Sequence, residues 1–171
     1  MRARRAVAVL MARVAVRRGV VVDVETTDLF GRVVQVGVCD LTGRVLLDEL
    51  VCAPVGIRAE AHQVHGISDA DCASAPEFAQ LHPRLRALLR GRLVVAYNAP
   101  YDRDVLDWEC REAGLTPVVG RWRWWCAMRA RQAVEGGPFR RLDGGHQAAG
   151  DAVAAAVVVR DVASQRVWAR S

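Results

Sequence analysis

The order of the apolar segments along the chain is the feature that most limits its fold. Three runs rich in β-branched residues follow one another at 19–24, 32–40 and 44–52. The tripeptide Leu41-Thr42-Gly43 predicts a hairpin turn between the second run and the third. Three consecutive strands followed by alternating helices and strands predict an α/β fold built on a mixed sheet.

The alternating elements lie in the second half of the chain. Helical spacing predicts helices at 77–90, at 101–113 and from 147 to about 168, with a buried strand at 93–97 between the first two. Pro83 falls inside the first helix, where we expect it to kink or interrupt the helix. We interpret residues 122–134 as a short strand followed by a helix from about Cys126. Glycines at 136–137 and 144–145 indicate loops.

Charge and cysteine usage narrow the class of protein. All 24 basic residues are arginine, and the formal net charge is +5. A positive charge suits a polyanionic partner, but a composition rich in arginine, alanine and valine explains the charge equally well. Five cysteines without a CxxC pair argue against a disulfide framework or a zinc knuckle, so we expect a cytoplasmic protein.

The N-terminus superficially resembles a signal peptide. Its apolar stretch at 6–12 is short, however, and Arg13 interrupts it. The chain contains no apolar run long enough to span a bilayer, so we expect no membrane partner. We therefore predict a basic N-terminal arm at 1–18, partly helical or disordered, followed by a single domain at 19–171.

Two carboxylates, Asp23 and Glu25, follow the first apolar run. Side chains at positions i and i+2 of a strand point to the same face, roughly 7 Å apart along it. Two carboxylates in this arrangement repel each other unless cations lie between them. Oxygen ligands without cysteine favour Mg²⁺ or Mn²⁺ over zinc. Alone, the pair is equally well explained as acidic residues that end a strand.

Four segments in order place this pair in a wider pattern. They are VVDVETTDL at 21–29, EAHQVHGIS at 60–68, VAYNAPYDRDVL at 95–106 and HQAAGD at 146–151. Together they resemble the DnaQ-like (DEDDh) 3′→5′ exonuclease superfamily, most closely its proofreading epsilon-type branch. The H-x4-D spacing is similar to the histidine subclass and differs from the Y-x3-D of its tyrosine relatives. The resemblance implies an RNase H-like mixed five-stranded sheet flanked by helices, with residues 19–171 as one exonuclease domain.

The resemblance also implies an active site. Its four carboxylates would hold two Mg²⁺ or Mn²⁺ ions, and its histidine would be the general base; these residues are Asp23, Glu25, Asp102, Asp151 and His146. Residues five apart do not share one face of a helix. We therefore expect the histidine on the loop before the last helix, with Asp151 in the first turns of that helix.

Substrate contacts are a further implication of the resemblance. Thr26 and Glu60 would lie near the terminal 3′-hydroxyl, while His65 would touch the terminal nucleotide and Leu29 would wedge against its base. Turn formation and packing explain these four residues equally well. Three tryptophans suit base stacking, but at strand spacing we expect two of them to pack in the core: Trp122, Trp124 and Trp125.

Several functions fit this pattern. The leading hypothesis is a 3′→5′ exonuclease acting on the 3′ end of single-stranded DNA, for which a polymerase or another replication or repair protein is a candidate partner. The alternatives are an exoribonuclease, a phosphodiesterase for oligonucleotides or small nucleotides, and a non-catalytic nucleic-acid-binding module. The last of these predicts a missing carboxylate or histidine, and the chain has all five residues. The segment between the predicted helix ending near Val134 and His146 is shorter than in epsilon-type enzymes. The resemblance therefore does not predict the depth of the cleft.

Overall fold

A computed structural model of the protein describes residues 2–167. In this region the strands are β1 Gly19–Thr26, β2 Val33–Asp40, β3 Val45–Leu50, β4 Leu93–Ala96 and β5 Trp124–Cys126. The α-helices are α1 Arg2–Arg18, α2 Ala59–His65, α3 Asp69–Cys72, α4 Phe78–Leu89, α5 Ala99–Glu112, α6 Ala127–Glu135 and α7 Ala148–Ser164, and a 3-10 turn covers Arg121–Arg123. Between residues 2 and 167, no helix combines the length and the apolar character that a membrane span requires.

The strands form one mixed sheet in the order β3-β2-β1-β4-β5. The pairs β1/β2 and β2/β3 are antiparallel, whereas β1/β4 and β4/β5 are parallel. The hairpin between β2 and β3 forms as predicted, with the N–H of Asp40 donating to the Arg44 carbonyl at 3.0 Å and Gly43 at a φ of 96°. The predicted α/β architecture, a mixed five-stranded sheet flanked by helices, is confirmed.

Strand β1 lies at the centre of the sheet and separates two layers of helices. Val20, Val22 and Val24 belong to a buried cluster with side chains of α4 and α5. Val21 belongs to a second cluster, formed with α1, α6 and α7. Because side chains alternate along a strand, residues 23 and 25 lie on the same face as Val21. The two carboxylates of β1 are thus on the α7 side of the sheet, at the carboxyl end of the strand.

The N-terminal segment forms the long helix α1, which packs on the same layer as α7. Ala8, Ala12 and Ala15 are buried in the cluster that contains α6 and α7. Alanines at these positions let helix backbones approach closely. The Arg13 guanidinium adds hydrogen bonds to the carbonyls of Ala163 and Gln165, both at 3.1 Å. A boundary between an arm at 1–18 and a domain from 19 onward stays a prediction.

Several element limits differ from those predicted. Helix α4 continues through Pro83 without interruption. The proline leaves the carbonyl of Ala79 without its helical donor, and Ala79 is exposed, so water can reach that carbonyl. Strand β1 extends two residues beyond the predicted end and therefore includes Glu25. Helix α7 ends at Ser164, and the predicted end near Trp168 lies outside the described residues.

Candidate active site

Four carboxylates converge at the carboxyl end of β1. One oxygen each of Asp23, Glu25 and Asp151 lies within 4.8 Å of the others. Asp102, in the first turn of α5, is only 3% exposed and is close enough to raise the pKa of Asp23. Two of the four carboxylates therefore belong to the central strand, and the other two belong to helices on opposite faces of the sheet.

The first turn of α7 rests directly on β2 beside the cluster. Gly37 pairs with Asp23 in the sheet, and a Cβ at Gly37 would lie 2.2 Å from the carbonyl carbon of Ala148. Gln35 fixes the same turn, since its Oε1 accepts a hydrogen bond from the Ala148 N–H at 3.1 Å and its Nε2 donates to Asp48 at 2.8 Å. A glutamine and a glycine within an otherwise apolar strand are the sequence signals for this contact, and neither residue was among the predicted site residues.

We expect Gly37→Ala to lower both stability and activity. The new Cβ would meet backbone atoms of α7, so the helix would have to retreat by about 1 Å to reach ordinary contact. Overpacking of this kind costs about 1–3 kcal/mol, and a misplacement of about 1 Å at a catalytic residue lowers rates about 100-fold. Urea unfolding and nucleotide release measure the two effects.

Gly56→Ala is the matched control, because the nearest atom to a Cβ at Gly56 is 3.5 Å away. The control should retain wild-type stability and rate. A Gly37→Ala variant that matched it in both measurements would show that the close approach of α7 is not required.

His146 lies on the loop that immediately precedes α7, as the spacing predicts. The residue is exposed and adopts a φ of 54°, in the left-handed region. The loop passes over Asp151, because a Cβ at Gly144 would be 1.8 Å from its Oδ1. Tyr97 anchors the preceding part of the loop by donating to the Arg140 carbonyl at 2.6 Å. The imidazole and the carboxylate of Asp151 are therefore near each other. Burial raises the pKa of Asp151 above its ordinary value, and His146 opposes part of this rise.

The cluster is electrostatically unfavourable when all of its carboxylates are ionised. Burial raises the pKa of Asp23 well above its ordinary value, and the charges of Asp102, Glu25 and Asp151 raise it further. Burial and the charge of Asp151 raise the pKa of Glu25 to about 7. Burial also raises the pKa of Asp102, although the backbone N–H of Val24 favours its ionised form. At neutral pH the cluster favours bound protons or bound cations.

The residues of the cluster fit a hard divalent cation. Asp151 Oδ1 is buried and has no hydrogen-bond partner among residues 2–167. A buried carboxylate oxygen without a donor is costly, and coordination of a cation removes that cost. The cluster offers only oxygen ligands, which suits Mg²⁺ or Mn²⁺ better than softer metals.

We expect Mg²⁺ to stabilise the fold more at pH 8 than at pH 5. Carboxylates with raised pKa values bind more protons in the folded state than in the unfolded one, so the metal-free protein loses stability as pH rises from about 4 to about 7. Mg²⁺ binds the ionised carboxylates and offsets this loss. Thermal unfolding with and without Mg²⁺ measures the effect, with NaCl of equal ionic strength as the control. Equal shifts at both pH values would contradict a site made of these carboxylates.

The turn that follows β1 is held rigidly. Thr26 Oγ1 lies 2.6 Å from the Asp28 carbonyl and 2.8 Å from the Tyr101 hydroxyl. His65 is buried, and its Nδ1 accepts a hydrogen bond from the Ile67 N–H at 3.0 Å, so its Nε2–H donates to the Thr26 carbonyl at 3.2 Å. Both ring nitrogens of His65 are thus engaged within the protein, and the residue fixes the turn.

The other predicted contact residues lie on the exposed rim beside this turn. Leu29 is 67% exposed, and Glu60 is exposed in the first turn of α2. Arg58 attaches α2 to the turn, because its N–H donates to the Thr27 carbonyl at 2.9 Å and its guanidinium pairs with Asp28 at 2.9 Å.

The three tryptophans behave as expected from strand spacing. Trp124 and Trp125 pack against the two main clusters, whereas Trp122 is 78% exposed. The exposed ring stacks beneath the guanidinium of Arg123, at 4.3 Å from its centroid.

Two curated relatives match part of the chain. The DNA polymerase III subunit epsilon-like protein of Rhodobacter capsulatus is 36% identical over 96 residues, which are 51% of this chain and 14% of that protein. The exonuclease CP81 of Escherichia phage 186 is 32% identical over 96 residues, which are 55% of this chain and 50% of that protein. The chain thus spans half or less of the length of these relatives.

A solved structure extends the comparison to the whole fold. Exonuclease X in complex with 5′ overhanging duplex DNA has a TM-score of 0.62 and 24% sequence identity, covering 88% of this chain and 93% of that chain. This similarity confirms the RNase H-like exonuclease fold. Residues 20–153, most of the chain, match the exonuclease family RNase_T. The carboxylate cluster lies within the matched region, and the protein belongs to the RNase_T exonuclease family.

Proposed function

We propose that the protein is a metal-dependent 3′→5′ exonuclease that acts on single-stranded DNA. The observation that carries this proposal is the convergence of Asp23, Glu25 and Asp151 within 4.8 Å, with Asp102 buried beside them. Four clustered carboxylates with raised pKa values destabilise the fold when they are ionised. The same arrangement suits the binding of cations that contact a phosphate.

The proposed roles follow from the positions of the side chains. When bound, two divalent cations would activate a water molecule and stabilise the leaving 3′-oxygen. Asp23, Glu25 and Asp151 would hold one cation, and Asp23 would also contact the second, which Asp102 would bind directly or through water. His146 takes the proton from the attacking water as a general base.

The names of the relatives support DNA as the substrate. The epsilon-like relative is named after a DNA polymerase subunit, and the solved exonuclease was determined with duplex DNA. These names also support a polymerase or another replication or repair protein as a partner. All five cysteines are free thiols, which supports a reducing cytoplasm as the location.

Degradation of labelled strands tests the proposal. The pure protein is incubated with 5′-labelled single-stranded DNA and RNA of the same sequence, in Mg²⁺ or Mn²⁺. We expect the DNA to shorten progressively from its unlabelled end. Immediate release of the labelled nucleotide would indicate degradation from the 5′ end and would contradict the proposed polarity. Faster degradation of RNA would favour an exoribonuclease. No hydrolysis of either strand would favour a non-catalytic binding module.

We expect strands with a 3′-phosphate to be degraded about 10- to 100-fold more slowly than strands with a 3′-hydroxyl. Glu60 accepts a hydrogen bond from the terminal hydroxyl in this proposal, and the Thr26 N–H donates to its oxygen. A terminal phosphate would bring negative charge against Glu60 on a rim that the bound strand partly desolvates, and an unpaired charge there costs about 1–3 kcal/mol. Initial rates on the two substrates measure the ratio.

Glu60→Gln should narrow this ratio, because the repulsion is lost while a hydrogen-bonding group remains. Glu112→Gln, an exposed substitution at the far end of α5, is the control and should leave the ratio unchanged. Equal wild-type rates on strands with a 3′-hydroxyl and strands with a 3′-phosphate would show that the pocket does not recognise a 3′ terminus. Cleavage of circular single-stranded DNA would show the same.

A further inference from the structure

Helix α1 carries a narrow apolar stripe on its exposed face. The stripe consists of Ala3, Val7, Leu10 and Val14, which are spaced by four, three and four residues. Val7 is 60% exposed, Leu10 51% and Val14 45%. At 3.6 residues per turn these side chains fall within roughly 60° of the helix circumference. Among residues 2–167, none of the stripe side chains belongs to a buried hydrophobic cluster.

The opposite face of α1 already packs on the domain. Ala8, Ala12 and Ala15 are buried against α6 and α7, and Arg13, between this face and the stripe, is bonded to the carbonyls at the end of α7. The helix is therefore held by one face and presents the stripe outward with the other.

The stripe has the pattern of a two-stranded coiled-coil seam. Alternate spacings of four and three define a and d positions, with Val7 and Val14 at a and Leu10 at d. A stripe this narrow is typical of a helix–helix seam, whereas a helix lying in a membrane interface presents a broader apolar face.

Arginines lie beside and at the end of the seam. Arg4 and Arg18 occupy e positions, and Arg17 takes the d position that follows Val14. Arg13, at a g position, already donates to the end of α7. The helix contains no acidic residue. A second copy of α1 would bring arginine against arginine across the seam, which opposes self-association. A helix with glutamate or aspartate at its flanking positions would instead be complementary in charge and in shape.

We propose that the outer face of α1 docks an amphipathic helix of a partner protein whose apolar seam is flanked by acidic residues. The contacts of Arg13 place α1 at the last turn of α7, which is about 18 Å from Asp151 at a rise of 1.5 Å per residue. A partner bound there leaves the carboxylate cluster open. The surface would therefore recruit the nuclease without blocking it.

Binding of synthetic helices to the 171-residue protein tests the proposal. The probe is a labelled three-heptad peptide with valine at a, leucine at d and glutamate at e and g, and a second peptide carries lysine at e and g. Fluorescence anisotropy should show at least tenfold tighter binding of the acidic peptide. Leu10→Glu should weaken that binding at least tenfold and leave nucleotide release unchanged. Val55→Glu, at a 53% exposed valine outside α1, is the matched control and should bind normally.

Reversal of the flanking charges gives an independent readout. The double substitution Arg4→Glu and Arg18→Glu should exchange the preference of the protein for the two peptides. Equal binding of both peptides, or binding that Leu10→Glu does not weaken, would overturn the proposal. Self-association that Leu10→Glu abolishes in sedimentation would assign the face to a second copy. Binding to phosphatidylserine vesicles without binding of the acidic peptide would assign it to a membrane surface.

Discussion

The Asp23→Ala variant is expected to release no nucleotides above background. The charge of Asp23 is strongly disfavoured, because the carboxylate is buried and adjoins Asp102, Glu25 and Asp151. It is also the one residue that we propose to contact both cations. Its loss would remove a ligand from each cation at once, whereas the other carboxylates each serve one. Release of mononucleotides from labelled DNA in saturating Mg²⁺ measures the effect.

The same substitution should stabilise the metal-free protein at neutral pH. A carboxylate whose pKa is raised by folding is ionised more easily in the unfolded state, so it lowers stability at pH values above its ordinary pKa. Removing it relieves the repulsion on the remaining three carboxylates. Urea unfolding in EDTA should therefore show a higher midpoint for the variant than for the wild type. Together the two results distinguish a functional residue from a structural one.

Asp104→Ala is the matched control for Asp23→Ala. Asp104 follows Asp102 by two residues on α5, but its side chain is 57% exposed and pairs with Arg103 and Arg121 on the surface. Exposed pairs contribute little to stability, so this variant should keep its activity and nearly all of its stability. Normal hydrolysis by the Asp23→Ala variant, or by the wild type in excess EDTA, would refute the proposed metal site.

The sequence predicted the sheet well because its strands carry local signals. Strand β1 is a β-branched run that is buried on both faces, and the turn at Gly43 has the composition of a hairpin. The position of His146 before α7 was also predictable, since residues five positions apart, such as His146 and Asp151, do not lie on one helix face. These features depend on periodicity within a few residues, which a single sequence displays.

Features that depend on contacts between distant segments were not predicted. The contact of Gly37 with Ala148 joins residues far apart in the chain, and only the folded backbone shows why a glycine is required. His65 is a similar case. The motif alone is compatible with a substrate contact or with a structural role, whereas the hydrogen bonds of His65 to Thr26 and Ile67 show that it fixes the turn. The exposed apolar stripe of α1 could not be predicted for the same reason, since only the folded chain shows which face of α1 packs on α7.

The His146→Ala variant is expected to hydrolyse DNA about 100- to 10,000-fold more slowly than the wild type, the usual contribution of a general base. It should bind Mn²⁺ nearly as well, because the carboxylates are the proposed ligands and His146 is not among them. Isothermal calorimetry and single-turnover rates separate the two effects. Loss of Mn²⁺ binding in the variant would make His146 a ligand.

The pH profile gives a second test of His146 if metal binding is held constant. Only the neutral imidazole accepts a proton, so the wild-type rate should rise with pH. Ionisation of Glu25, with its pKa raised to about 7, also strengthens metal binding over this range. Saturating Mg²⁺ removes the second effect, and the remaining rise should disappear in His146→Ala. His146→Asn is the control for the backbone, because asparagine tolerates the φ of 54° and cannot act as the base. We expect it to match the wild type in stability and His146→Ala in rate, and a wild-type rate in the asparagine variant would exclude general-base catalysis by His146.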